Sequence, residues 1–240
     1  MRAYLAQARA EVRLTLTQGE SLLVTLGIPV LLLVLLDVVD VLPTGTSQPV
    51  TFLAPGILAL AVMATGLVSL SIATGFERSY GVLKRLAATP LGRPGLMAAK
   101  ITAIVAVELV QVVIVVVVGL ALGWHPATDV GPAFAALILG TIAFSGLGLL
   151  LAGALRAELV LGLANGLYLV LLALGGMLFP VSRLPGALEA ASKALPAAAL
   201  SQALFHTVGV GGGVPLISWV VLVVWAIAAP VAATLAFRWE

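Results

Sequence analysis

Polar residues that could do chemistry are few in this sequence, and several lie inside long apolar runs. Glu108 and Gln111 are three residues apart in one run, a spacing that puts both side chains on one face of a helix. If that run crosses a membrane, a carboxylate there costs about 2.5 to 3.5 kcal/mol and normally faces protein or a wet cavity. Glu108 could line a substrate path, carry a proton or pair with another span. We expect a structural or cavity role, because no second deep carboxylate or basic partner completes a relay.

Small and polar residues recur at helical spacing in two other apolar runs. Thr65 and Ser69 are one turn apart, and Asn165 lies between Gly162 and Gly166. Small residues at such spacing let helices approach closely, and an amide can hydrogen-bond across the contact. We therefore expect helix packing at these positions, with substrate binding as the alternative.

The motifs of several common chemistries are missing. The chain has no cysteine, and His125 and His206 are isolated from clustered carboxylates, so we expect no metal site. No G-x-x-x-x-G-K-[ST] sequence is present to cradle nucleotide phosphates. The sequence thus predicts a protein that is not an enzyme and binds no cofactor itself. If ATP drives its work, the energy must enter through a contact with another protein.

Composition places these residues in a membrane protein. The chain is 62% hydrophobic and 9% charged, against roughly 25% charged residues in globular proteins. Each long apolar run is near the roughly 20 residues that cross a bilayer, so the fold class is an all-α integral membrane protein with six transmembrane helices. The predicted spans cover residues 21–41, 52–76, 97–123, 131–155, 159–179 and 214–237. Charges and prolines interrupt residues 181–207, which we expect to form an extracellular or re-entrant hairpin.

Basic residues predict the orientation. Of the 12 Lys and Arg residues, only Arg183 and Lys193 fall on the side away from the termini. The positive-inside rule therefore puts both termini in the cytoplasm. The net charge of +2 gives no reason to expect a nucleic-acid partner.

The first twenty residues carry an amphipathic pattern. Leu5, Ala8, Val12 and Leu16 fall on one helical strip, beside the arginines of this segment. The pattern favours a helix over residues 1–20 that lies in the membrane interface, with its apolar side in the lipid. The alternative is a frayed polar tail.

The loop "FERSYGVLKRLAATPLGRP", residues 76–94, concentrates charge between two spans. A helix from Glu77 would put Tyr80, Leu83 and Leu86 on one side and Lys84 and Arg85 on the other. Thr89 precedes Pro90, which disfavours helical geometry and predicts an end to this helix within residues 77–90. The helix could receive a soluble partner, or its charges could serve topology alone.

This loop resembles the cytoplasmic loop of the membrane subunit of type-2 ATP-binding-cassette (ABC) exporters, where Glu, Gly, Leu-Lys-Arg and Thr-Pro-Leu recur at this spacing. The later stretch "GGMLFPVSRLPGALEAASKALPAAALSQAL" is similar to the family's segment after the fifth span, and the six-span plan matches too. One departure is the plain "PAAAL", where the family commonly has an aromatic residue.

The resemblance implies a permease of the bacterial cytoplasmic membrane that is surrounded by lipids and works as a homodimer or heterodimer on two cytoplasmic ABC ATPase subunits, which hold ATP and magnesium. The loop is then a coupling helix in contact with the ATPase. It also implies outward transport of an amphipathic drug-like or lipid-like substrate. The alternatives are a polymer or glycolipid exporter, and a non-transporting membrane anchor. The implied ATPase-coupling residues are Glu77, Arg78, Tyr80, Gly81, Lys84 and Arg85.

Overall fold

The computed structural model describes residues 2–17, 19–39, 49–127 and 129–237, and every regular element in these ranges is helical. The helices are α1 (Arg2–Thr17), α2 (Gly19–Val39), α3 (Pro49–Met63), α4 (Leu70–Ser79), α5 (Val82–Ala87), α6 (Arg93–Ala121), α7 (Val130–Ala154), α8 (Ala157–Leu174), α9 (Gly186–Ser192), α10 (Pro196–Leu204) and α11 (Leu216–Ala236). A π-helical segment, Ala64–Ser69, joins α3 and α4 into one helix.

Five helices among the described residues are long and apolar enough to cross a membrane. They are Pro49–Ser79, Arg93–Ala121, Val130–Ala154, Ala157–Leu174 and Leu216–Ala236. The first predicted span falls on a shorter apolar stretch, Leu23–Val39, and its last residues lie outside the described ranges. The expectation of an all-α integral membrane protein is confirmed.

Helix α7 packs against several others, through backbones that nearly touch. A Cβ atom on Gly148 would lie 2.5 Å from the carbonyl oxygen of Gly66, and one on Gly146 would lie 2.6 Å from the nitrogen of Pro230. Neither position has room for a larger residue, because backbone atoms cannot move aside as a flexible side chain can. Glycine in α7 thus allows close packing with the π-helical segment and with α11.

The segment predicted to form a hairpin, residues 181–207, folds back into the helical bundle. It contains α9 and α10, and α10 is buried against α3, α7 and α11. Leu200 of α10 lies against Gly140, which is ten residues into α7, or about 15 Å along its axis. The hydroxyl of Ser201 donates a hydrogen bond to the carbonyl oxygen of Gly175. The charged residues of this segment lie before α9, within it or at its end, and Pro196 is the first residue of α10, so the rest of α10 carries no charge into the bundle.

The prediction of one continuous helix that begins at Glu77 is wrong. Glu77 and Arg78 belong to the last turn of α4, and only Val82–Ala87 forms the separate helix α5. Gly81 separates the two helices with a left-handed φ of 74°, which residues with a Cβ rarely adopt. The expected stop is present, since α5 ends at Ala87, before the Thr89 and Pro90 pair.

Helix α1 lies along α6, and its predicted apolar strip is divided between two environments. Ala8 is buried, and the hydroxyl of Tyr4 hydrogen-bonds the hydroxyl of Thr102 at 2.8 Å. Leu5 and Leu16 stay exposed. The helix therefore attaches to the bundle by one face and leaves two leucines for its surroundings.

Candidate functional site

The loop helix α5 is held at one end of the bundle by a single buried side chain. Leu83 is fully buried in a small apolar cluster that includes Leu91, Leu96 and Met97. The neighbouring Lys84 and Arg85 are exposed, and Tyr80 is 73% exposed. Since α5 is anchored by Leu83 from below, it presents a basic outer surface with an aromatic ring beside it.

Arg78, predicted to contact a partner, instead reaches into the bundle. Its guanidinium donates hydrogen bonds to the carbonyl oxygens of Gly153, at 2.7 Å, and Leu155. These carbonyls end α7, where the unpaired C=O groups of a helix carry partial negative charge. Arg78 thus ties the end of α4 to the junction between α7 and α8.

Glu77 is also engaged inside the bundle, through a lysine that the sequence prediction missed. The Lys100 ammonium, only 2% exposed, lies 2.7 Å from a carboxylate oxygen of Glu77 and 3.2 Å from one of Glu11. Gln7 donates a further hydrogen bond to Glu11 at 2.8 Å. We call Glu11, Glu77 and Lys100 the lysine cluster. It joins α1, α4 and α6, and its sequence signal was a lysine within the predicted span 97–123.

Glu108 and Gln111 are both buried, but they serve different contacts. Glu108 is 5% exposed and accepts a hydrogen bond from the hydroxyl of Thr141 in α7. Gln111 donates to the carbonyl oxygen of Thr25 at 2.8 Å and accepts from the hydroxyl of Thr65 at 3.2 Å. One residue therefore fastens α6 to α7, while the other fastens it to α2 and the π-helical segment.

The second oxygen of the Glu108 carboxyl, Oε1, has no hydrogen-bond partner among the described residues. Beside it is a crevice of about 40 Å³ between α6 and α7, with Leu109 and Phe134 in its wall. The crevice is too small for a drug-sized molecule. The structure gives Glu108 one polar contact to another helix.

Two cavities meet on the face formed by α2 and the π-helical segment. Thr25, Thr65 and Ser69 line both of them. One cavity, of about 120 Å³, runs to the lysine cluster. The other, of about 270 Å³, runs past apolar side chains to Asn165 and Tyr168. We call the pair the α2 groove. The α2 groove has a charged end and an apolar end. Its wall includes the π-helical segment, and such segments are frequent at functional sites.

The packing predicted at Gly162 and Gly166 does not occur within the described part of the chain. A Cβ on either glycine would meet nothing within 4 Å. Asn165 is exposed, and its amide donates only to its own helix, to the carbonyl oxygen of Leu161 at 2.7 Å. These residues form an open face on α8.

The bundle, with its separate loop helix, defines an integral membrane subunit. The model of the ABC-2 type transporter family matches residues 3–208, most of the chain. The chain therefore belongs to the ABC-2 type transporter family and is a permease component of an ABC transporter, not its ATPase. Membrane domains of this family generally pair with ATPase subunits. No individual curated protein matches the sequence.

Proposed function

We propose that this permease exports an amphipathic drug-like or lipid-like compound, driven by two cytoplasmic ATPase subunits that dock on α5. The proposal rests chiefly on the outer surface of α5, where Lys84, Arg85 and Tyr80 are exposed above the Leu83 anchor. Basic side chains on a fixed short helix suit an acidic groove on a soluble partner. The chain itself binds no cofactor, and ATP and magnesium sit on the ATPase.

Contacts at the base of α5 offer routes for movement into the bundle. Leu83 belongs to an apolar cluster that also contains residues of α6 and α11. Arg78 connects the end of α4 with the α7–α8 junction, and Glu77 connects it with Lys100 in α6. A push on α5 would therefore act on several helices together, since these polar contacts are short and partly buried and Leu83 is fully buried.

The α2 groove supports an amphipathic substrate. Its charged end lies at the lysine cluster, and its wider part is lined by apolar residues with Thr65, Ser69 and Asn165 as hydrogen-bonding groups. The wider cavity, about 270 Å³, is just below the roughly 300 to 1,000 Å³ of small-molecule sites. A small amphiphile fits this space better than a polymer chain, the alternative cargo. The substrate site is complete once a second subunit closes the groove.

The open face of α8 suits the second permease subunit. Asn165 presents a side-chain amide in the middle of a span, and lipid offers no partner beyond the hydrogen bond that this amide gives to its own helix. Gly162 and Gly166 leave room for another helix to approach. A second copy of this chain or a related permease would meet both needs. In the bacterial cytoplasmic membrane, with both termini inside, α5 would face the cytoplasmic ATPases.

A charge reversal on α5 tests the proposal. Lys84→Glu with Arg85→Glu should abolish co-purification of the cognate ATPase and substrate-stimulated ATP hydrolysis in vesicles, while the permease stays in the membrane. Arg93→Glu with Arg156→Glu is a matched control, since it changes the charge equally at two other exposed arginines. Normal ATPase binding and export by the α5 variant would contradict the proposal. ATPase binding without substrate-stimulated turnover in the native protein would favour the anchor.

A further inference from the structure

Docking of α1 on the bundle buries its acidic residue and leaves two of its arginines exposed. Glu11 is its one acidic residue, and it is buried against Lys100. Arg9 and Arg13 are one turn apart on the exposed side. The lysine cluster thus takes up the acidic charge of α1 on the inside, and the outer face is cationic.

An exposed apolar flank runs beside these arginines. Leu5 and Leu16 are 56% and 42% exposed, and both lie within about 40° of Arg9 around the helix at 100° per residue. Glu11, about 160° from Arg9, is buried, and so is Ala8, about 100° from Arg9. A helix that presents leucines next to arginines has the form of one that lies in a membrane surface, with apolar side chains in the acyl region and cations at the headgroups.

We propose that the outer face of α1, formed by Leu5, Arg9, Arg13 and Leu16, binds the phosphate headgroups of anionic phospholipids in the adjacent leaflet, and that this binding holds α1 on the bundle. Guanidinium groups form two hydrogen bonds at once with phosphate oxygens, which favours phosphate over a diffuse negative surface. The leucine flank reaches the acyl chains below the same headgroups. A lipid satisfies both halves of this face.

The lysine cluster links the proposed lipid contact on α1 to the loop helix α5. Lys100 contacts Glu11 of α1 and Glu77 at the end of α4, three residues before Tyr80. Lipid that fixes α1 therefore stabilises the base of α5. On the proposed function, and resting on it, anionic lipid raises the coupling of ATP hydrolysis to transport. The lipid contact itself needs no ATPase.

Hydrogen exchange of the full chain in nanodiscs tests the lipid contact without the ATPase. Discs of phosphatidylcholine alone are compared with discs that contain phosphatidylglycerol. Each arginine near an anionic surface strengthens membrane binding by a factor of about 5. The two arginines together should therefore slow exchange of the α1 amides roughly 30-fold in the anionic discs. The variant Arg9→Gln with Arg13→Gln should lose this difference, and Arg156→Gln, a control at another exposed arginine, should keep it.

The inference fails if α1 exchanges equally in both kinds of disc, or if the lipid effect survives in the double variant. Protection of α1 that appears only when the ATPase is added would also overturn it, and would assign this face to the protein partner. The charge reversal on α5 leaves Arg9 and Arg13 in place. Failure of the lipid inference and failure of the proposed function are thus separate outcomes.

Discussion

Replacing Lys100 by Met should detach α1 from the bundle and disconnect it from the loop. Lys100 is buried, and its ammonium nitrogen lies 3.2 Å from a carboxylate oxygen of Glu11 and 2.7 Å from one of Glu77. Removing one partner of a buried ion pair costs about 3 to 5 kcal/mol, because the remaining charge is left without compensation. The Glu77 side chain is 31% exposed and can turn to water, so we expect the lower end of that range, about 3 kcal/mol.

The loss of stability should open α1 away from the bundle before it unfolds the whole chain. The contacts of α1 with α6 include the ion pair between Glu11 and Lys100 and the hydrogen bond between the hydroxyls of Tyr4 and Thr102. A loss of about 3 kcal/mol corresponds to roughly a 150-fold rise in the open fraction. Hydrogen exchange of the α1 amides in detergent measures this rise directly. Coupled ATP hydrolysis in vesicles should fall in the same variant.

A neutral triple variant separates charge from packing. Lys100→Met combined with Glu11→Gln and Glu77→Gln leaves no buried charge in the lysine cluster. Replacing a buried ion pair by apolar residues of similar volume is often neutral or stabilising. The triple variant likewise leaves no uncompensated charge, so exchange of α1 should return towards the native rate. If Lys100→Met alone leaves α1 exchange and thermal stability unchanged, the lysine cluster does not hold α1, and the reasoning fails.

Three further substitutions give clear expectations. Gly148→Val should prevent stable folding, because its Cβ would lie 2.5 Å from the carbonyl oxygen of Gly66; gel filtration in detergent should show aggregation, and a native-like peak would refute the close contact. Gly81→Val should lower the free energy of unfolding by about 1 to 2 kcal/mol, because its φ of 74° is unfavourable for a residue with a Cβ; an unchanged melting temperature would count against this backbone. Glu108→Gln should keep the hydrogen bond from Thr141 and preserve transport at every pH; transport that depends on pH in the native protein and vanishes in this variant would show proton coupling instead.

The sequence predicted the long helices well because apolar length is a local property. Runs near 20 residues identify spans without knowledge of their neighbours. The break at Gly81 was missed, since the amphipathic pattern continues through it and glycine's left-handed φ leaves no mark on the sequence. The sequence shows where the glycines are, but it does not show which helix packs against each of them. Gly162 and Gly166 therefore drew a packing prediction while Gly146 and Gly148 make the close contacts within the chain.

The candidate site was predicted in part for the same reason. Helical periodicity brought out the exposed Lys84 and Arg85, which depend only on positions within α5. Glu77 turns inward because of Lys100 in α6, and Arg78 turns inward because of carbonyl oxygens at the end of α7. Such long-range partners exist only once the chain has folded.

Cross-linking from α5 tests the central claim most directly. The native chain has no cysteine, so Arg85→Cys places a single thiol on the outer surface of the loop helix. In vesicles that contain the cognate ATPase, a short bifunctional reagent should join this position to the ATPase. Ala190→Cys, at an exposed position of α9, should not react with it. Cross-linking from Ala190→Cys and none from Arg85→Cys would contradict the account.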